Sequence, residues 1–498
     1  MKLIFKYTLI ALLAVVSFSC EKLETINEDP NNAQHTHPKL LLKTISYETF
    51  TGQGTGSMFA SRMLVNTDGA SADQYYTWDR GDFDRYNVLR NVTKMIEEAE
   101  LQEAPEYVYL AKFFRAYHFY ELTRAFGDVP YSEALKGETE GNFTPVYDAQ
   151  EDIIPALLTE LKEANDGLKS ISTIDGDIIF DGSALKWRKL INSLRLRILM
   201  DMSLKAGNSS LNIASQFNDI YKNEVLMGSI DDNGQLVYLD QADCRYFEYL
   251  GKFGSVGMSV TFVNMLKDRH DPRLFVFCQR NPNAVAAGLA VNDFNAYGGA
   301  DPTRPYGEIS QERNQGYVSM VNARYFDDPV NEPHMLMGYP ELQFILAEAV
   351  VRGWIEGGDL GKAKTFYENG VKASFAFYEK YAEDYSQYLG SGAANSYLAQ
   401  LRVSFDQATT TEKRIEYIVT QKYIQFYFQS GLELFYNNRR TGYPEFAVGG
   451  AVGNNGKVPV RWMYPEDEYN RNATNVEAAV QRQFGGSESI NGKMWLLK

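Results

Sequence analysis

Along most of this chain the apolar residues recur three and four positions apart, the period of a helix with a buried side. In APEYVYLAKFFRAYHFYELTRAFGDVPY, Leu110, Phe113, Tyr117 and Tyr120 form one stripe, and Phe114, His118 and Leu122 form a second beside it. So wide an apolar arc predicts a helix over 105–126 that touches neighbours on two sides, with His118 a hydrogen-bonded core residue. Gly127 then ends the helix and Pro130 keeps it ended. The stretch YPELQFILAEAVVRGWIEGGDLGKAKTFYENGVKASFAFYEKY predicts two more, one from Pro340 to Ile355 and, past a Gly-Gly-Asp turn, one from Leu360 to Tyr381. Ala347, Trp354, Ala363, Tyr367 and Gly370 fall near the small and large positions of a tetratricopeptide-like helix pair. Such pairs cannot bury both faces alone. Partner helices are expected at 148–168, at 183–206 and in TTEKRIEYIVTQKYIQFYFQS, where Thr409 and Glu412 suggest a capping box.

Between residues 225 and 335 the pattern breaks. Gly, Pro, Asn and Asp become frequent, and short runs such as QLVYL and RLFVF alternate with turns such as NPN, YGGADPTRPYG and DDPVNEP. This predicts a loop-rich insertion with a few short strands between two helical blocks, the kind of element that carries binding residues on a rigid scaffold. A second irregular segment, 438–474, separates the last long helix from a short C-terminal one.

The first residues follow a different rule. Lys2 and Lys6 precede an apolar stretch from Tyr7 to Val16, and Ser17 and Ser19 flank Phe18, which is the order of an export signal over residues 1–19. That stretch is much shorter than the roughly 20 residues a spanning helix needs. Cys20 comes next, followed by the acidic, Asn-rich EKLETINEDPNNA. A cysteine at that point predicts a lipoprotein whose thiol is lipidated, with residues 20–38 as anchor and flexible tether and residues 39–498 as one domain. Ser17 stands where the commonest lipidation motif has Leu. The alternative is a secreted protein with an incidental cysteine.

Charge narrows the partners. The chain is −15 overall; without the two lysines of the signal, 47 basic residues face 64 acidic ones, a net −17. Such a surface disfavours nucleic acid and anionic membrane. Cys244 and Cys278 could form at most one bridge, so disulfides do not organise the fold. Five scattered histidines, His35, His37, His118, His270 and His334, have no metal-ligand spacing and no HExxH occurs; neither a metal nor a cofactor is expected.

No motif specifies a reaction. GQGTGS at 52–57 lacks the Lys-Ser/Thr of a phosphate loop, and no GxSxG occurs. The acidic cluster Asp79, Asp82 and Asp84 could support a glycosidase, but a catalytic pair is set across a sugar from separate elements; a solvated loop leading into a helix explains it as well. DQYYTWDR instead places Tyr75, Tyr76 and Trp78 beside Asp73, Gln74 and Arg80. Aromatic faces pack on the C–H face of a sugar while amides and carboxylates reach its hydroxyls, so Asp73, Gln74, Tyr75, Tyr76 and Trp78 are candidate ligand contacts. A Trp tucked under its own loop is the competing reading. Tyr297, Tyr306 and Tyr317 in the insertion form a second set.

The tether EKLETINEDPNNA, the helix AKFFRAYHFYELTRAFGDVPYSEAL, the HDPRL turn, GYPELQFILAEAVVRGW, NNRRTGYPEF and RWMYPEDEYNRN together resemble the SusD/RagB family of Bacteroidetes outer-membrane nutrient-binding lipoproteins, in the branch described as starch-binding associating with outer membrane. The resemblance runs over nearly the whole mature chain. It implies a mainly α fold, with tetratricopeptide-like helix pairs as scaffold and a loop-rich half that binds ligand. It also implies a lipid-anchored protein of the cell surface, without enzymatic activity, that hands a glycan to a TonB-dependent, SusC-like barrel; peptide or another nutrient is the alternative cargo, and a surface glycoside hydrolase a more distant one. Family ligand contacts vary with substrate, so Tyr75, Tyr76, Trp78, Tyr297 and Tyr306 are placed by region and chemistry. Arg439, Arg440, Tyr443, Tyr464 and Pro465 are expected to hold the C-terminal crossing together.

Overall fold

Helix 105–126 forms with the predicted bounds. In the computed structural model, which describes residues 35–52, 54–239, 255–327, 330 and 332–498, it opens with Pro105 in its first turn and ends at Gly127, whose φ of +91° and crowding by Gln483 admit no side chain. Cys20, the export signal, most of the tether and Cys244 lie outside the described residues. Cys278 is buried and bonded to no cysteine among the described residues, with its thiol donating to the Leu274 carbonyl.

The scaffold is a series of helices, each packed on the next. The first is α1 (Pro38–Phe50), where the His37 ring nitrogen caps the first turn. Then come α2 (Arg85–Leu101), α3 (Pro105–Phe126), α4 (Gln150–Gly167) and α5 (Ala184–Asp201). Helix α3 lies between α2 and α4 and also meets α1, which accounts for its two apolar stripes. His118 is core, as expected: its Nε2 is 3.0 Å from Thr49 Oγ1 and its Nδ1 faces the Arg85 guanidinium. Burial, then Arg85, holds the imidazole well below its usual pKa.

The described residues form four short strands: β1 (Leu64–Asn66) ahead of the insertion, β2 (Gly234–Leu236) and β3 (Val256–Met258) within it, and β4 (His334–Met337) at its end. β1 pairs antiparallel with β3, with Val65 opposite Gly257, and β2 with β4, with Leu236 opposite His334. RLFVF, grouped above with the short strand-like runs, is instead a helical turn, α6 (Arg273–Phe277); all five residues are buried, so the run carries no alternation to distinguish the two. Beyond it lies α7 (Tyr306–Asn314).

The second helical block contains α8 (Tyr339–Val351), α9 (Leu360–Tyr381), α10 (Thr411–Gln425), α11 (Glu433–Thr441) and α12 (Ala473–Phe484). α8 and α9 form the predicted pair; a Cβ at Gly370 would sit 2.5 Å from the Phe344 ring, so this crossing requires glycine. The cap of α10 is Thr410, one residue past the expected Thr409, accepting from Lys413 N at 3.1 Å. α5 packs on α8 and joins the two blocks.

Charged side chains cross that junction in the core. Arg124 on α3 reaches Glu121, Asp201 on α5 and Glu433 on α11. Arg197 on α5 pairs with Glu341 on α8. Arg440 on α11 grips both oxygens of Glu348 on α8, which Arg352 also contacts. Arg439 donates to the Arg124 and Val460 carbonyls, and the Tyr464 hydroxyl donates to the Asp128 carbonyl at 2.6 Å. These C-terminal motif residues therefore sit where they hold the crossing.

Candidate ligand-binding face

The two aromatic sets singled out in the sequence, some 230 residues apart, come together on one side of the molecule. Beneath them β1 and β3 form a platform, joined by bridges from Gly257 to Met320 and from Ser259 to Ala300. Val65, Ala300, Ile309 and Val318 bury a small apolar cluster of their own against it. A short helical turn, Ala72–Tyr75, capped by Ser71, sits on the platform.

Gln74 is fully buried and ties the layers together. Its Oε1 accepts from Asn66 N at 2.7 Å, and its Nε2 donates to the Pro302 carbonyl at 3.2 Å. The Tyr75 hydroxyl donates to the Arg304 carbonyl at 2.8 Å. Arg62, buried, donates to the Gln74 carbonyl and lies 3.9 Å over the Tyr76 ring, whose hydroxyl donates to Ala60 O. Asp73 is largely buried, which raises its carboxyl pKa. The loop through Gly449 and Gly453 closes on Thr303 and the Tyr75 carbonyl.

This geometry corrects the expected exposure of most candidates. Trp78 is 8% exposed; it stacks on Trp462 at 5.2 Å, meets the Tyr76 and Phe435 rings edge-on, and donates Nε1–H to Arg461 O. Tyr297 is 2% exposed, stacked on Phe275, with its hydroxyl on the Val291 carbonyl. Tyr75 and Tyr76 are buried as described. Tyr76, Trp78 and Tyr297 each have an aromatic neighbour for the ring, and all four have a backbone acceptor for the polar tip, the condition under which such residues go inside. In this conformation they present no face to a ligand.

Tyr306 and Tyr317 differ. They are 50% and 60% exposed, one opening α7 and the other just past its end, about 12 Å of helix apart. Between and beside them stand charged groups that the sequence reading did not select. Arg304 pairs with Glu308 and Glu312, and Arg313 with Asp68 at 2.8 Å. The exposed surface is thus two phenol rings in a field of paired charges, carried on a fixed platform. No group of His, Cys, Asp and Glu able to hold a metal occurs among the described residues. Asp79, Asp82 and Asp84 are exposed at the loop ahead of α2.

A helical-repeat scaffold that holds up a polar and aromatic loop face is the architecture of a binding protein. Residues 30–465 match the sequence model of the SusD-like family described as starch-binding associating with outer membrane, and the chain belongs to that family. A SusD homologue from Bacteroides fragilis is 48% identical over 93% of this chain and 100% of its own, with a TM-score of 0.86. A second SusD homologue from the same species is 29% identical over the same shares, also at 0.86. A chitin-binding protein is 25% identical over 93% of this chain and 100% of its own, with a TM-score of 0.74. No curated protein matches the chain. No helix among the described residues is long and apolar enough to cross a membrane.

Proposed function

We propose that the protein is a cell-surface lipoprotein, held by Cys20 after removal of residues 1–19, that captures an oligo- or polysaccharide and delivers it to a TonB-dependent, SusC-like barrel in the outer membrane without altering it. Residues 20–38 act as anchor and tether, and residues 39–498 as one domain whose insertion builds the ligand face. The observation that carries this reading is the exposure of Tyr306 and Tyr317 on a rigid platform, since an open phenol face beside paired charges suits a ring with an apolar face and hydroxyl edges. Asp73, Gln74, Tyr75, Tyr76, Trp78 and Tyr297 serve that face from behind, by holding the loops in place. Membership in the family supports the class of function, and the chitin-binding relative supports a glycan as cargo.

The test is electrophoresis of the chain from residue 21 onward in native gels containing single polysaccharides, with the polymer recovered and sized. One polymer should retard the protein and come back uncut. The double variant Tyr306→Ala/Tyr317→Ala should lose about 1–3 kcal/mol of binding per stacked ring while melting as the parent does. A shortened polymer would make the protein a hydrolase. Retardation by no glycan would turn the reading to peptide cargo.

A further inference from the structure

A second recess lies where the first turn of α2, the last turns of α3, the start of α11 and the strand-like segment at Trp462 meet. Its volume is about 190 Å³, many times what one water needs. Phe126, Leu122, Leu432 and Trp462 give it apolar walls, and Asp82 stands exposed at its edge. Trp78 stacks on Trp462, nearly parallel at 14°, and so backs one of these walls.

The polar groups in the recess are incompletely used. Tyr436 is 2% exposed, lines the recess, and makes no hydrogen bond through its hydroxyl among the described residues. Its ring is held between Arg124 at 4.2 Å and Arg439 at 4.5 Å, so the side chain is fixed while its tip is free. Burial first, then the nearby Glu121, raise its pKa, so the hydroxyl keeps its proton and can donate. Arg85 spends one nitrogen on Glu121 Oε2 at 3.2 Å and one on His118 Nδ1 at 3.4 Å, leaving its Nε–H without a partner among the described residues. Glu121 bridges Arg85 and Arg124 and retains lone pairs. The Tyr436 ring is buried while its hydroxyl opens onto the recess, so it offers a donor to whatever occupies the space.

We infer that this recess is a binding site for a single neutral sugar ring, with the C–H face on Trp462 and Phe126 and hydroxyls on Tyr436, Arg85 and Glu121. The charges around it, Arg85, Arg124 and Arg439 against Asp82, Glu121 and Glu433, balance, which favours an uncharged polyhydroxy ligand over an acid or an amine. A volume of about 190 Å³ is on the scale of a single ring, so the recess takes a free monosaccharide or a chain end. It stands on its own geometry and does not require the Tyr306 face to bind glycan.

Saturation-transfer NMR of the chain from residue 21 onward with D-glucose, D-galactose, D-mannose and D-xylose, each at millimolar concentration, tests it. At least one sugar should receive saturation. Tyr436→Phe, which keeps the ring and removes only the free hydroxyl, should bind that sugar about five- to tenfold less tightly, and the Tyr436-dependent part of the signal should persist in Tyr306→Ala/Tyr317→Ala. No transfer to any of the four sugars overturns the assignment. So does unchanged affinity in Tyr436→Phe, or a signal lost only in the Tyr306/Tyr317 variant. Failure of every polysaccharide to retard the protein, with a Tyr436-dependent monosaccharide signal intact, would remove the loop-face reading and leave this one standing.

Discussion

Trp78 and Tyr306 look alike in the sequence, aromatic residues beside polar ones in Gly- and Asp-rich stretches, and the structure gives them opposite roles. Trp78 fills the space between Trp462, Tyr76 and Phe435 and satisfies its indole N–H on a backbone carbonyl. Removing it leaves a cavity and an unpaired carbonyl. Trp78→Ala is therefore expected to lower stability by about 3–5 kcal/mol, read as a shift in the urea midpoint. Tyr306→Ala should leave that midpoint unmoved, because its ring is half exposed and covers no core. If Trp78→Ala folds with the parental midpoint and loses ligand, the ring is a contact and the buried packing is not its role. The sequence could not separate these cases. What distinguishes Tyr297 from Tyr306 is a carbonyl at Val291 and a ring at Phe275, and neither is visible as a local pattern.

At the scale of elements, legibility followed the strength of the period. Helix α3 was bounded correctly because two apolar stripes, Pro105 and Gly127 all agree on it. The five buried residues of α6 carry neither period, and three adjacent threonines, Thr409, Thr410 and Thr411, all suit the α10 cap that Thr410 provides. The buried ion network was not legible at all, since its members come from α3, α5, α8 and α11. It has a measurable consequence at the α8–α11 junction. Burial pushes the Glu348 carboxyl upward, but Arg440 and Arg352 outweigh it and hold the pKa at about 2, against an ordinary 4.5. A depressed carboxylate pKa stabilises the fold above 4.5 and loses that contribution as pH falls toward 2; a span of that size corresponds to about 3 kcal/mol. Arg440→Met strands the charge beside Arg352 alone and should destabilise the protein by about 3–5 kcal/mol at neutral pH. It should also flatten the acid limb of the stability profile, measured by urea denaturation from neutral pH down to about pH 3. An unchanged limb would mean that Glu348 is not held by Arg440 in solution.

For the molecule as a whole, the question is what keeps an acidic protein at a membrane. A net charge of −15 is repelled by anionic headgroups, and no helix among the described residues is long and apolar enough to span a bilayer. A resident barrel could hold the protein by contact, and a lipid on Cys20 could hold it without one. The family and the fold do not distinguish these, because both concern the folded part; the anchor is a matter of one thiol. Between Cys20 and the start of α1 at Pro38 there is chain enough to reach at most about 60 Å, so a lipid at that point would keep the folded part close to the membrane surface. In cells lacking the barrel, the parent protein should still sediment with outer membranes, and Cys20→Ala should move to the soluble fraction while melting at the parental temperature. A Cys20→Ala protein that still sediments with membranes in those cells would place the attachment elsewhere. A parent protein released by deleting the barrel would make the barrel itself the anchor, and the cysteine incidental.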